Sequence, residues 1–232
     1  MTTLNILSAG AAQGLVAGLA ETFRAQTGFD IKGEFGAVGT MADALRNGTR
    51  ADLIILTTAL AARLADEKLV VPSSISNIGE VATALAVRTG DPRVSVGNAD
   101  DLRQALLMAD AIFTPDTKAS TAGIHVAKVL VQLGIAHEVA PRMRVFPNGA
   151  TAMRHLASSD ARRPIGCTQS TEIVATDGVD LSGSLPPGYE LSTMYAAGVT
   201  MRAANARQAQ VLINLLTSPA QRELRVGIGF VD

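Results

Sequence analysis

Polar side chains that could hold a small anion collect at two short segments in the second half of the chain. Lys118 supplies a cation, and Ser120 and Thr121 supply hydroxyls, immediately before a predicted helix. Gln169 and Thr171 add donors and acceptors at the end of a predicted strand. One cation among several neutral donors suits a carboxylate. The alternative interpretation is a solvated lysine beside ordinary helix caps.

Three histidines and one cysteine are the side chains best suited to acid–base or thiol chemistry. His125 lies one turn into the same predicted helix and is the candidate general base, with a partly buried structural histidine as the alternative. His137 and His155 fall in a polar loop and on a helix face, where solvated side chains are expected. Cys167 lies in an apolar strand and is expected to be a small buried residue. Scattered histidines and a lone cysteine predict no metal site.

Such side chains must be positioned by secondary structure. The sequence predicts strands that are each followed by a turn of small residues and then a helix. Residues 3–8 predict a buried strand, and residues 9–12 are small enough for the backbone to approach a ligand. A helix follows and ends at Gly28, residues 30–35 predict a second strand, and a second helix is expected from about 40 to 46. This order predicts a βαβ unit, in which ligands bind where strands end and helices begin.

The same alternation continues and predicts an α/β fold of two lobes, each a mixed or parallel sheet flanked by helices. Two apolar runs, residues 81–87 and 191–200, predict a pair of strands that connect the lobes as a hinge. The first lobe is expected to hold residues 1–82 and 196–232, and the second lobe residues 83–195. A ligand would then bind in the cleft between the lobes.

The composition of the chain, 47% hydrophobic and 18% charged, is typical of a packed globular protein. A net charge of −1 and few aromatic residues argue against nucleic acid or an anionic membrane as partner. No apolar run approaches the ~20 residues that span a bilayer, so membrane insertion is not expected. Because the first strand begins at residue 3, the expectation is a cytoplasmic protein, or a periplasmic one if a leader was removed and Met1 is not the native start.

Several segments, taken in order, carry a family resemblance. They are ILSAGAAQGL, AETFRAQTGFDIKGEFGAVGTMADAL, ADLIILTT, STAGIHVAKVLVQLGI, RRPIGCTQS and LLTSPAQRELRVGIGF. Over nearly the whole chain they resemble the substrate-binding proteins of ABC transporters with the type II periplasmic-binding-protein fold, in the molybdate-binding branch. The resemblance implies an anion held at helix N-termini of both lobes, and a transporter permease as partner if the protein is exported. No GxGxxG or Walker pattern is present, so no cofactor is expected.

Carried onto this sequence, the resemblance implies ligand-binding residues in both lobes. They are Ser8, Ala9, Gly10, Ala11, Gly39 and Thr40 in the first, and Lys118, Ser120, Thr121, Ala122, Asn148, Gln169 and Thr171 in the second. Thr40 is also predicted to cap the second helix. Molybdate binders have a serine where this chain has Ala11, and a tyrosine where it has Gln169. The hydroxyl cage for a tetrahedral oxyanion is therefore largely lost.

Two functions remain open at this point. The first is a binding protein that captures a small carboxylate or oxyanion by closure of the lobes, as the fold resemblance implies. The second is a cytoplasmic isomerase of an unsaturated di- or tricarboxylic acid, resembling aconitate isomerases. In that enzyme His125 would move the proton, while Lys118, Thr121 and Gln169 would hold carboxylates. A cytoplasmic ligand sensor is a weaker third hypothesis.

Overall fold

A computed structural model describes residues 2–231 of the protein. Within that range the chain forms two compact units. The first unit runs to Val81 and resumes at Thr193, and the second unit comprises Ala82–Ser192. The chain passes between the units within the strand Ser76–Arg88 and again at the start of the strand Ser192–Val199.

Strands and helices alternate along most of the described residues. The strands are β1 (Thr3–Ala9), β2 (Asp30–Gly36), β3 (Leu53–Thr57), β4 (Ser76–Arg88), β5 (Ala111–Pro115), β6 (Met143–Phe146), β7 (Pro164–Gln169), β8 (Val179–Ser184) and β9 (Ser192–Val199). The α-helices are α1 (Gln13–Thr27), α2 (Val38–Arg46), α3 (Thr58–Asp66), α4 (Ala99–Met108), α5 (Thr121–Gln132), α6 (Ala136–Val139), α7 (Gly149–Ala157), α8 (Ser170–Val174), α9 (Ala206–Thr217) and α10 (Arg222–Gly227). Within residues 2–231, no helix is both long and apolar enough to cross a bilayer.

The sheet of the first unit has the order β2-β1-β3-β9-β4. β1 pairs in parallel with β2 and β3, whereas β9 pairs antiparallel with β3. Leu53 and Ile55 of β3 belong to one apolar cluster, and Ile54 and Leu56 belong to another. Because successive side chains of a strand point to opposite faces, the two clusters lie on opposite faces of this sheet. The carboxyl ends of β1, β2 and β3, and the helices that follow them, share one edge.

Helices cover both faces of that sheet. α1 packs with α9 and buries Leu15, Leu19 and Phe23, which are at most 1% exposed and lie on one side of the helix. α1 ends at Gly28, whose φ of 74° is left-handed and free of strain only for glycine. α2 and α3 pack on the other face, where Leu45 contributes to the second cluster.

The second unit repeats this plan with the strand order β4-β7-β5-β6, and β8 pairs with β4. β5 is parallel to β6 and β7, whereas β4 is antiparallel to β7 and β8. Ile112 packs with α4 and α5, and its neighbour Phe113 packs with α7 and α8, so helices cover both faces here too. The carboxyl ends of β5, β6 and β7 therefore lie along one edge of this sheet.

The predicted α/β class, with mixed sheets flanked by helices, is confirmed, and three local predictions were wrong. α2 begins at Val38, because Ala37 is still extended and acts as the N-cap, so Thr40 is the third helical residue and not a cap. β4 begins at Ser76, five residues before the strand that was predicted over residues 81–87. β8 lies where no strand was predicted, and it forms because antiparallel pairing with β4 satisfies its backbone groups.

Candidate functional site

The α5 corner follows β5 in the second unit and contains four of the predicted ligand-binding residues. Ser120 is the N-cap residue of α5, but its side chain makes no capping hydrogen bond. Lys118 is exposed, and its backbone N–H donates to Asp116 Oδ1 at 2.7 Å. Ala119 N–H donates to the same oxygen at 2.9 Å. The Asp116 carboxylate, which the sequence interpretation missed, therefore shapes the loop and adds a negative charge beside Lys118.

Gly123 explains how α5 can pack so closely on this loop. A Cβ atom at this position would lie 2.2 Å from the backbone oxygen of Asp116 and 2.5 Å from that of Pro115. Both distances are shorter than any real non-bonded contact between carbon and oxygen, and backbone atoms cannot move aside easily. The glycine therefore fixes the first turn of α5, including Thr121 and the buried Ala122, against the end of β5.

A buried carboxylate closes the next corner, where β6 leads into α7. Glu172 Oε2 accepts a hydrogen bond from Thr168 Oγ1 at 2.6 Å. The same carboxylate accepts backbone N–H bonds from Gly149 and Ala150 at the start of α7, and from Gln169. Burial raises the pKa of the Glu172 carboxyl, and these four donors oppose the rise.

This arrangement changes the interpretation of Asn148. Its Oδ1 accepts the N–H of Thr151 at 2.8 Å, which makes it the N-cap of α7. With Glu172 and Asn148 together, the first N–H groups of α7 already have acceptors from the protein. Asn148, predicted to bind ligand, is therefore engaged as a structural cap, and Glu172 takes the place that an external anion would need at this helix.

Three buried threonine hydroxyls of this unit lack a hydrogen-bond partner within the described residues. Thr83, Thr114 and Thr171 are 1%, 0% and 4% exposed, and none of their hydroxyls has a hydrogen-bond partner within residues 2–231. Thr114 lies near the carboxyl end of β5, and Thr171 lies in the first turn of α8. Thr83 lies on β4 directly opposite Gln169, the last residue of β7. The carboxyl edge of this sheet therefore carries hydroxyls with free hydrogen-bonding capacity.

His125, the candidate general base, is held by the backbone. Its Nε2 lies 2.7 Å from the carbonyl oxygen of Tyr189, and a carbonyl only accepts, so Nε2 carries the proton. Nδ1 is then the nitrogen that could accept a proton from a substrate. Cys167 is 3% exposed and burial raises the pKa of its thiol to about 12, which suits a packing role and not a nucleophile.

The first unit presents three corners at the carboxyl edge of its own sheet, and the predicted residues lie at two of them. After β1 the chain forms a buried 3-10 turn, Gly10–Ala12, which leads directly into α1 without a side-chain cap. Ser8 is 0% exposed, and its hydroxyl donates to the carbonyl oxygen of Ala9 at 3.0 Å. The small residues leave the N–H groups of this turn covered by little side-chain volume.

The second corner of this unit leads from β2 into α2. α2 also begins without a side-chain cap, and Gly39 and Thr40 occupy its first turn. The third helix of this edge differs, because Thr57 Oγ1 accepts the N–H of Leu60 at 3.3 Å and caps α3. The predicted residues of the first unit thus lie at the end of β1 or in the turns that begin α1 and α2, where no side chain within residues 2–231 caps the helix. Within residues 2–231, no three His, Cys, Asp or Glu side chains are grouped to hold a metal ion.

Comparison with known proteins decides the family. A family model described as bacterial extracellular solute-binding protein matches residues 4–231. The chain belongs to this family. The resemblance to substrate-binding proteins drawn from the sequence is therefore confirmed.

Among curated proteins, an aconitate isomerase from a Pseudomonas species is 26% identical to this solute-binding protein over 229 residues. The aligned region covers 94% of this chain and 83% of the isomerase. Among solved structures, the periplasmic molybdate-binding protein of Azotobacter vinelandii has a TM-score of 0.79 at 19% identity and 99% coverage of both chains. The sulfate-binding protein SubI of Mycobacterium tuberculosis has a TM-score of 0.77 at 17% identity, covering 99% of this chain and 86% of that one. The two structures show a shared fold.

The sequence interpretation of this solute-binding protein missed several polar groups at the same edges. Thr83 and Thr114 are single hydroxyls inside apolar strands, VATALAV and AIFTP, and that isolation was the signal that could have identified them. Asp116 and Glu172 gave no such signal, because acidic residues in polar segments are usually solvated. Their hydrogen bonds are visible only once the strands and helices are packed.

Proposed function

We propose that this solute-binding protein captures a small anion, a carboxylate or an oxyanion, at strand ends and helix N-termini. The observation that carries the proposal is the set of buried hydroxyls of Thr83, Thr114 and Thr171, which lack partners within residues 2–231. A buried hydroxyl without a partner costs about 1–3 kcal/mol. An anion that accepts hydrogen bonds from such groups recovers that free energy and has a reason to bind there.

The helix N-termini support the same assignment. α1, α2 and α5 begin without a side-chain hydrogen bond to their first turns, whereas α7 is closed by Asn148 and Glu172. Unpaired N–H groups at a helix start attract anions through hydrogen bonds and the helix dipole. The proposed contacts are therefore Ser8, Ala9, Gly10, Ala11, Gly39 and Thr40 in the first unit, and Ser120, Thr121, Ala122, Gln169 and Thr171 in the second.

The charges favour a carboxylate over molybdate as the ligand. Lys118 is the cation of the α5 corner, and Asp116 lies two residues before it with its carboxylate bound to backbone N–H groups. A single cation beside a fixed anion gives little excess positive charge for two negative charges on one small tetrahedral group, whereas a polycarboxylate spreads its charges over separate groups. Hydroxyl and amide donors with one ammonium group match a carboxylate better.

Calorimetric titration of the purified protein tests this proposal. The panel consists of molybdate, sulfate, citrate, cis-aconitate and trans-aconitate, with glucose as the neutral control. We expect at least one carboxylate to bind more tightly than both oxyanions, and glucose not to bind. Lys118→Gln should weaken the best ligand about tenfold, as expected for loss of a charged hydrogen bond. Heat signals from none of the anions would reject the proposal.

An isomerase is the second candidate, because the aconitate isomerase relative covers most of this chain. In this hypothesis Nδ1 of His125 removes and returns a proton of an unsaturated tricarboxylic acid, while Nε2 stays bound to the Tyr189 carbonyl. Proton NMR of cis- and trans-aconitate with the protein in deuterated water tests it. We expect exchange and interconversion that His125→Ala abolishes and His137→Ala, at an exposed position, retains. Spectra that stay unchanged with the wild-type protein would exclude this reaction.

A transporter permease is the proposed partner if the protein acts in import. Expression of the gene in its natural host, followed by separate assay of periplasmic and cytoplasmic fractions, tests this part of the proposal. We expect the protein in the periplasmic fraction if it delivers ligand to a permease. Recovery in the cytoplasmic fraction alone would favour the isomerase or a sensor.

A further inference from the structure

A cavity of about 560 Å³ lies within the first unit, at the edge of its sheet opposite the corners described above. Its lining includes Arg50, Ala51 and Asp52 just before β3, and Thr200 just after β9. The amino end of β3 and the carboxyl end of β9 meet there because the two strands are antiparallel. The cavity has the size of small-molecule sites in proteins.

Three cations line this cavity without a carboxylate partner. Arg50, Lys68 and Arg202 are exposed, and none forms an ion pair or side-chain hydrogen bond within residues 2–231. Arg46, which also lines the cavity, differs because it is bound to Asp43 at 2.9 Å and to Glu67 at 2.8 Å. The three unpaired cations come from three separate connections, after α2, after α3 and after β9.

Asp52 is the acid of the lining, and it is engaged elsewhere. Its carboxylate accepts the N–H of Asn5 at 3.0 Å and the N–H of Asn205 at 2.8 Å. It is 3% exposed, so it serves as an internal connector between β1, β3 and the start of α9. The unpaired lining charge of the cavity is therefore positive, in a chain whose net charge is −1.

The backbone at Lys68 fixes how this lysine leaves α3. Within residues 2–231, Lys68 is the non-glycine residue that has a positive φ, of 60°. It follows the end of α3, where Lys68 N–H donates to Ala65 O and Leu69 N–H donates to Leu64 O. Glycine is the usual residue at this point of a helix end, because a side chain there is strained. The helix end therefore sets the backbone position from which Lys68 lines the cavity.

We propose that this cavity is a second anion site, for a small ligand that carries two or more negatively charged groups. Guanidinium groups bind phosphate and carboxylate oxygens in pairs, and Lys68 adds a point charge between segments. Three cations on separate connections match separated charges on one molecule better than a single monoanion. Phosphate-bearing and polycarboxylate ligands share this chemistry, and the experiment separates them.

Titration calorimetry with pyrophosphate, tripolyphosphate and citrate tests this site, with sulfate as the smaller control and an octa-aspartate peptide as the competing kind of ligand. We expect pyrophosphate or citrate to bind more tightly than sulfate and to weaken about tenfold as salt rises, because the site is open to solvent. Arg50→Gln and Arg202→Gln should each weaken binding about tenfold. Arg103→Gln, an exposed arginine of α4, should leave it unchanged.

Lys68→Gly separates binding from folding. Glycine relieves the left-handed backbone, so the variant should keep or raise the melting temperature while pyrophosphate binding weakens at least fivefold. Thr171→Val and Lys118→Gln should leave pyrophosphate binding intact, so failure of this site and failure of the proposed function give different results. Binding that survives the Arg50, Lys68 and Arg202 substitutions, or binding of the peptide alone, overturns the second site.

Discussion

Thr171→Val is the substitution that most directly tests the proposed anion site. The Thr171 hydroxyl is buried at 4% exposure and has no partner within residues 2–231. Valine replaces this hydroxyl by a methyl group of similar size, and threonine and valine have similar helix propensities. The ligand-free protein should therefore gain about 1 kcal/mol, because a penalty for a buried unpaired donor disappears. For a chain of this length that gain raises Tm by about 2–4 °C.

The same substitution should weaken ligand binding. A hydrogen bond from a neutral donor to a charged acceptor contributes about 1.5–3 kcal/mol, which corresponds to about tenfold or more in affinity. Thermal unfolding without ligand and calorimetric titration with trans-aconitate measure the two effects on one preparation. The expected result is a protein that is more stable and binds less well, which a purely structural role for Thr171 does not produce.

Thr168→Val is the matched control for this experiment. Thr168 is equally buried, but its hydroxyl donates to Glu172 Oε2 at 2.6 Å. Its loss leaves the buried carboxylate with one donor fewer and should destabilise the protein by about 2–3 kcal/mol. If Thr171→Val instead destabilises the chain as Thr168→Val does, or leaves affinity unchanged, Thr171 does not contact ligand.

Two further predictions concern the closed corner at α7. Gly149→Ala should lower the free energy of unfolding, measured by urea denaturation, by about 3 kcal/mol or more. The reason is that the added Cβ would lie 1.9 Å from Glu172 Oε2 and 2.1 Å from Thr168 Oγ1. The control Gly183→Ala has open space around it and should be close to neutral in the same assay. Burial raises the folded-state pKa of Glu172 above its unfolded value, so the native state binds more protons than the unfolded state. The contribution of Glu172 to stability is therefore present below about pH 4.5 and is lost as pH rises through the folded pKa. Urea denaturation between pH 4.5 and 8 should show this loss of stability in the wild type. Glu172→Gln should remove the pH dependence and lower stability at every pH, because the amide places a donor against the N–H groups. Equal pH slopes for both proteins would contradict this account.

The position of Glu172 also bears on how the family fold is used here. Its carboxylate closes one helix N-terminus of the second unit, while the N-termini of α1, α2 and α5 keep N–H groups that no side chain accepts. Under the proposed function, anion contacts are therefore expected at the corners before α1, α2 and α5. A polycarboxylate, which spreads its charge over several groups and offers more hydrogen-bond acceptors than molybdate, would fit such corners.

The sequence by itself determined the α/β class and most of the strand and helix order. Buried strands such as β3 are continuous apolar runs, and α1 carries an apolar stripe that ends at Gly28, so local residue types suffice to predict them. The corners that follow β1, β2, β5 and β7 were predictable for the same reason, because small residues and hydroxyls interrupt the apolar pattern there. β8 was not, since pairing with a distant strand stabilises it and its own side chains do not.

Only the tertiary structure decided which polar groups are satisfied. Asn148 and Thr171 look alike in sequence, as polar residues at helix starts, yet Asn148 caps α7 while the Thr171 hydroxyl is buried without a partner within residues 2–231. Glu172 and the cations Arg50 and Lys68 are likewise ordinary polar residues until packing places one at a helix N-terminus and the others around a cavity. The physical reason is that hydrogen bonding and burial depend on contacts between segments distant in the chain, whereas helix and strand preferences depend on neighbours within a few residues.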